Sequence, residues 1–175
     1  MMAGTSKGRE VRRYFIDCEK RLKQLFEEQK KVQKNHVLSL IIQGKADPWV
    51  KRFDDDFFDE AYRITGWKRT SKGHPPCMGG FINEVVYDRL PEGTSERLRQ
   101  VNPKNSKGQR SRKHHQHLTS GLGVPLLATQ KAATIAVMRL SPNNNPKCFK
   151  KNMLRACGNS IQLELIDFDF SDPSA

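Results

Sequence analysis

GREVRRYFIDCEKRLKQLFEEQKKVQKNHVLSLIIQ, Gly8–Gln43, runs without a proline or an internal glycine and is read as one long helix. Val11, Phe15, Cys18, Leu22, Leu25, Gln29, Val32 and His36 follow one another at alternating spacings of four and three, which is a heptad seam weakened by polar residues at Gln29 and His36. Arg12, Arg13, Lys20, Lys23, Lys30, Lys31 and Lys34 fall on the other faces, while Tyr14, Phe26, Val37 and Ile41 widen the apolar one. A face this rich in large apolar groups needs a packing partner. The first expectation is a second copy, giving a homodimer joined through Val11, Phe15, Cys18, Leu22, Leu25 and Val32; the second is packing across the rest of the chain.

Outward from that stretch the chain reads as mainly α: a long N-terminal helix (8–43), a compact helical domain with long basic loops (48–160) and an acidic C-terminal tail (161–175) that has room for one short strand. Asp47-Pro48 matches a helix start. In FDDDFFDEAYRITG, Asp54, Asp55 and Asp56 suit a first turn and Gly66 a C-cap. Pro75-Pro76 excludes a helix interior, and Gly79-Gly80 suits a tight turn. Phe81–Leu90 then predicts a helix with Phe81, Ile82, Val85, Val86 and Leu90 inward. Thr94 is placed to cap a helix carrying Leu98 and Val101. Pro125–Leu140 predicts an amphipathic helix burying Leu126, Leu127, Ala133, Ile135, Ala136, Val137 and Leu140, and Lys147–Cys157 a short basic one. Glu164, Asp167, Asp169 and Asp172 gather in the tail, which invites the expectation of an arm that covers a basic face.

That basic face is RLRQVNPKNSKGQRSRKHHQH, Arg97–His117: seven lysines and arginines, three histidines and no carboxylate, in a chain of 175 residues with formal net charge +12. With nothing local to neutralise it, the segment projects a positive field that suits a polyanion, DNA first. Arg97, Arg99, Lys104, Lys107, Arg110, Arg112 and Lys113 are the expected phosphate contacts, with His114, His115 and His117 beside them. Asn102, Asn105, Ser106, Gln109 and Ser111 offer further hydrogen bonds, and Asn102–Gly108 reads as a mobile loop.

The signals for catalysis are weaker. His114 and His117 lie three apart and converge on a metal only if the segment is helical; Cys77 is a conceivable third ligand, but no CxxC pair or matched carboxylate accompanies them. A nuclease would draw on His115 with Asn102 or Asn105. The carboxylates of Asp54, Asp55, Asp56, Asp59 and Glu60 suit a solvated helix start better than a metal site, and the glycines between Gly73 and Gly80 lack the lysine and hydroxyl of a nucleotide loop. No metal, no cofactor and no catalytic residue is therefore expected. Cys18, Cys77, Cys148 and Cys157 are widely spaced, which fits a reducing, cytoplasmic setting, and no apolar run is long enough to span a membrane.

Two sets of motifs carry a resemblance. GREVRRYFIDCEKRLKQ (Gly8–Gln24) resembles the segment that leads out of the N-terminal domain in phage antirepressor and Rha- or BRO-type regulatory proteins. From Trp49 onward, FDDDFFDEAYRITGW, FINEVVYDRLPEG, NPKNSKGQRSRKHHQHLT and IAVMRLSPN, in that order, resemble a C-terminal domain attached to such proteins in phages and cyanobacterial genomes. The resemblance implies a regulator of phage or mobile-element type and an N-terminal DNA-binding or antirepressor domain upstream of this sequence. It supplies no catalytic residue.

Three functions compete on this reading. The first is a DNA-associated regulatory domain that contacts phosphate. The second is an antirepressor-like module that captures a repressor or host factor. The third is a metal-dependent nuclease.

Overall fold

A computed structural model describes residues 6–71 and 73–157. The acidic tail, 161–175, lies outside the described residues, as do the strand and the covering arm expected of it. The described chain is mainly helical, with six α-helices in the order α1 Ser6–Ile41, α2 Asp55–Thr65, α3 Cys77–Val85, α4 Thr94–Val101, α5 Gly123–Arg139 and α6 Pro146–Cys157. Among the described residues, β-structure is limited to isolated bridges. The chain divides into two compact units, one ending at Ser39 and the other beginning at Leu40.

The first unit is the long helix. Its heptad residues Val11, Phe15, Leu22, Leu25 and Val32 are each more than half exposed, and so are Tyr14 and Phe26 on either side of the seam. Cys18 is intermediate. On the polar faces, Lys23 reaches Glu19 at 2.7 Å and Lys30 reaches Glu27 at 3.7 Å, the i,i+4 and i,i+3 pairs that support a helix in isolation.

In the second unit α5 is the central element and packs against α2 and α6, while α3 and α4 meet around a 3-10 turn at Tyr87–Arg89. Phe57, Ala61 and Ile64 of α2, Met78, Phe81 and Val85 of α3, Leu98 of α4, Leu127, Val137 and Met138 of α5, and Phe149 and Met153 of α6 form the core. Gly66 ends α2 in the left-handed conformation (φ 71°), donating its N–H to the Tyr62 carbonyl at 2.8 Å, as its place in the sequence predicts. Arg63 ties this helix to the end of α5: its guanidinium donates to the carbonyls of Met138 (2.5 Å), in the last turn, and of Ser141 (2.9 Å), just beyond it.

Four expectations are corrected. Gly79 and Gly80 lie inside α3, which begins at Cys77 directly after the two prolines, so they form no turn. The helix predicted over Phe81–Leu90 stops at Val85, because Val86 leaves helical geometry (φ −121°, ψ −63°). The Val85 carbonyl then bonds across the core, accepting from Thr134 Oγ1 at 3.1 Å and lying 3.4 Å from Gln130 Nε2. Gln130 and Thr134 are accordingly buried at 1% and 0% exposure while Leu140 is 82% exposed, so the inward face of α5 is rotated from the predicted stripe. Finally, no helix starts at Asp47-Pro48; the chain there has no regular structure, and Asp47 bonds to Gln116 instead.

Candidate nucleic-acid interface

The basic segment begins on α4 and leaves it at Asn102. Buried to 2% exposure, Asn102 organises the loop from Pro103 to Arg112. Its N–H donates to Leu98 O at 3.0 Å, its side-chain amide donates to Arg112 O at 2.8 Å, and its carbonyl accepts from the Arg110 guanidinium. One amide therefore clamps both ends of the loop.

Inside that clamp Asn105 builds the tip. Its Oδ1 accepts from the N–H of Lys107 (3.0 Å) and of Gln109 (2.9 Å), its carbonyl accepts from Gly108 N–H, and its N–H donates to Gln109 O at 2.7 Å. Gly108 takes φ 73°, the left-handed geometry that glycine adopts without a Cβ clash. A bridge between Lys104 and Arg110 completes a small hairpin. The loop expected to be mobile is internally hydrogen-bonded, and Asn102 and Asn105 spend their side chains on it, not on a ligand.

Beyond Lys113 the chain turns through a 3-10 segment, His114–His117, and not through the helix that an HxxH metal pair requires. Gln116, 3% exposed, locks it: Oε1 accepts from Lys113 N–H at 2.9 Å and Nε2 donates to Asp47 O at 2.8 Å. The backbone then pairs antiparallel with the chain leaving α1, through Asp47 N–H to Gln116 O, Gln43 N–H to His117 O and Thr119 N–H to Ile41 O, all between 2.7 and 2.9 Å. Gly123 allows this approach; a Cβ there would lie 2.2 Å from Ile41 O.

The histidines fall beneath this surface. His114 and His117 are buried, His115 half-buried, and each has one ring nitrogen that is buried without a hydrogen-bond partner: Nδ1 of His114 and His117, Nε2 of His115. Burial pushes His114 down to about 4, with Arg110, Arg99 and His117 acting in the same direction and Asp88 against them. Burial lowers His115 as well, assisted by Arg52 and Lys113. His114 also packs against Tyr87, whose ring centroid is 5.3 Å away. His114 and His117, expected beside the cations as phosphate contacts, are thus buried. Among the described residues no three His, Cys, Asp or Glu side chains gather in a way that could hold a metal ion.

The cations divide by their partners. Arg99 is held by Asp88 at 2.6 Å, and Arg110 is part-buried on Asn102. Arg97 is exposed and reaches Gln100 at 3.2 Å. Lys104, Lys107, Arg112 and Lys113 are exposed and have no ion-pair partner among the described residues. Elsewhere in this unit five carboxylates are matched: Asp54 with Lys131, Asp55 with Lys51, Asp56 with Arg139, Glu60 with Arg63 and Glu84 with Lys150. A cleft of about 260 Å³ beside Arg99 is lined by Asp88, Glu92 and Glu96. The clamp residues Asn102 and Gln116 were invisible as such in the sequence, where both read as polar members of a basic run.

No helix among the described residues is long and apolar enough to cross a membrane. No curated protein and no solved structure matches the chain. The model of the p63C domain, a domain found in phage-related proteins, matches residues 37–127, a span that contains the basic hairpin, its clamps and the histidine segment. Gly8–Gln24, on which the antirepressor likeness rests, lies outside that match. With more than half of its length covered, the chain belongs to the p63C domain family.

Proposed function

We propose that the domain contacts the phosphate backbone of DNA through Lys104, Lys107, Arg112 and Lys113, aided by Arg97, as a regulatory module of phage type that forms a homodimer through α1. The observation that carries this reading is the hairpin between Asn102 and Lys113. Four exposed cations that have no ion-pair partner among the described residues sit on a backbone held by buried amides, whereas Asp54, Asp55, Asp56 and Glu84 elsewhere in the domain are each paired. A pre-ordered loop loses little conformational freedom when it meets a phosphate, and each contact releases a condensed counterion. Arg99 and Arg110 contribute less, because each already has a partner within the fold. The hairpin offers phosphate contact and leaves base recognition unassigned.

The test is binding of the purified chain to a random-sequence duplex across a salt series, with a magnesium- or manganese-containing arm inspected for cleavage. Replacing Lys104, Lys107, Arg112 and Lys113 together by glutamine is expected to reduce the slope of log K against log salt by about 3 to 4. Unchanged affinity in that variant defeats the phosphate reading. Absence of binding even at low salt moves the function to capture of a repressor or host factor, a reading favoured by the exposed apolar face of α1. Metal-dependent nicking replaces both with a nuclease.

A further inference from the structure

We propose that two copies of this chain pair antiparallel along the seam Val11–His36, in the single register that sets Leu22 against Leu25 of the partner subunit; this rests on the homodimer proposed above and specifies its geometry.

In a two-stranded coiled coil the residues flanking the apolar seam decide direction and register, because their charges meet across the interface. With Phe15, Leu22, Gln29 and His36 at one seam position (a) and Val11, Cys18, Leu25 and Val32 at the other (d), the flanking residues are Tyr14, Arg21, Glu28 and Asn35 before the a positions, and Arg12, Glu19, Phe26 and Gln33 after the d positions. A parallel pair brings each residue of the first row to the residue five further on in the partner. That matches Tyr14 with Glu19, Arg21 with Phe26 and Glu28 with Gln33, and contains no pair of opposite charges.

An antiparallel pair brings each row to its own counterpart. When Leu22 faces the partner's Leu25, Phe15 faces the partner's Val32, Cys18 faces the partner's Gln29 and Val11 faces the partner's His36, so every one of the eight seam positions is covered. Arg21 then meets the partner's Glu28, and by symmetry Glu28 meets the partner's Arg21. Both side chains are exposed, and neither has an ion-pair partner among the described residues, whereas Glu19 and Glu27 are already held by Lys23 and Lys30.

Sliding the antiparallel pair by one heptad destroys this complementarity. In one direction Arg21 meets the partner's Arg21 and Glu19 the partner's Glu19; in the other, Glu28 meets the partner's Glu28. Either slip also leaves seam residues uncovered. Like charges at flanking positions repel, so the favoured register is defined by repulsion as well as by attraction.

Cysteine crosslinking in the full chain separates the arrangements. With Cys77, Cys148 and Cys157 replaced by serine, the antiparallel pair sets the two copies of Cys18 about 16 Å apart along the axis, since eleven residues rise about 1.5 Å each. Mild oxidation is then expected to give no covalent dimer until Gln29→Cys is introduced, whereupon Cys18 and the partner's new thiol join. A covalent dimer through Cys18 alone, or through Gln29→Cys in a Cys18→Ser background, overturns the antiparallel arrangement. Sedimentation keeps the two levels apart: a dimer by mass with the wrong crosslinks overturns the geometry and leaves pairing standing, whereas a monomer at every concentration overturns both. As a second readout, Arg21→Glu is expected to weaken the dimer about tenfold and Arg21→Glu with Glu28→Arg to restore it. If neither exchange moves the dimer affinity, the register is wrong.

Discussion

In α1, Val11, Phe15, Leu22, Leu25 and Val32 stand more than half exposed along a regular seam, whereas in the helical domain Phe57, Ile64, Leu98 and Phe149 are buried completely. The two regions also differ in what lies beneath their surfaces. The helix repeats a simple apolar period, interrupted at Gln29 and His36, and carries most of its polar residues on the other faces. The domain buries Asn102, Gln116, Gln130, Thr134 and two histidines, and these polar groups fix where its backbone goes. A periodic surface specifies association. A core with buried polar clamps specifies one conformation, at the risk that any unpaired group destabilises it. Substitutions in the two regions probe that difference, because each change is felt either as loss of folding or as loss of pairing.

The largest effect on folding is expected at Gly123. A methyl group there would lie 2.2 Å from the backbone oxygen of Ile41 and 3.0 Å from the Leu118 side chain. Ile41 O also accepts the Thr119 N–H at 2.9 Å, and Thr119 Oγ1 is bonded to both Leu40 O and Gly123 N–H, so the backbone has no slack to move away. Gly123→Ala should destabilise the domain by about 3 kcal/mol, at the upper end for overpacking. Thermal unfolding followed by circular dichroism would show it as a fall in midpoint; an unchanged midpoint would mean that the pairing between 41–43 and 117–119 is not formed as described.

Acidification should have an intermediate effect, again confined to the domain. His114 titrates near 4 in the fold and near 6.5 when unfolded. Between those values the unfolded chain binds a proton that the folded chain does not, so stability falls as pH drops from about 6.5 toward 4 and is fully present above that window. His115 is shifted in the same direction and adds to the same loss. The loss should be of the order of 1–3 kcal/mol. His114→Gln, compared with the parent by urea unfolding at pH 7.5 and pH 5, should show a smaller difference between the two pH values. Equal differences would show that the ring is not excluded from water.

These two positions also mark the limit of what the sequence makes legible. The helices at Ser6–Ile41, Asp55–Thr65, Thr94–Val101 and Pro146–Cys157 follow from apolar spacing and from cues such as Gly66, because periodicity and turn chemistry act over a few residues. The start of α3 did not follow, since a Gly-Gly pair after two prolines suggests a turn until Met78 and Phe81 are seen packed in the core. The rotated face of α5 did not follow either: Gln130 and Thr134 face inward to meet a carbonyl exposed by the break at Val86, a long-range requirement with no local signature. At the candidate interface, Lys104, Lys107, Arg112 and Lys113 could be named from charge alone. The distinction between exposed cations and the buried His114 and His117 required the three-dimensional pairing of 116–119 with 41–47.

The smallest effect on folding, and the one that separates the regions most sharply, is expected at Leu22 and Leu25. Both are about 56–57% exposed, so their replacement by asparagine removes little packing within the chain. Asparagine also lowers helix propensity by only about 0.7 kcal/mol per site at most. Association should respond quite differently. Burying two leucines against a second copy stabilises it by about 1.5–3 kcal/mol each when burial is complete, and asparagine forfeits that term. The double variant should therefore keep the domain's unfolding midpoint within a degree or two while its sedimentation changes from dimer to monomer. A parallel fall in midpoint would show that the two units depend on each other for stability; an unchanged dimer would place the contact elsewhere on the chain. Because the hairpin proposed to contact phosphate lies in the domain, the monomeric variant should also keep the salt slope of a single hairpin while losing the affinity that two linked sites give on one duplex.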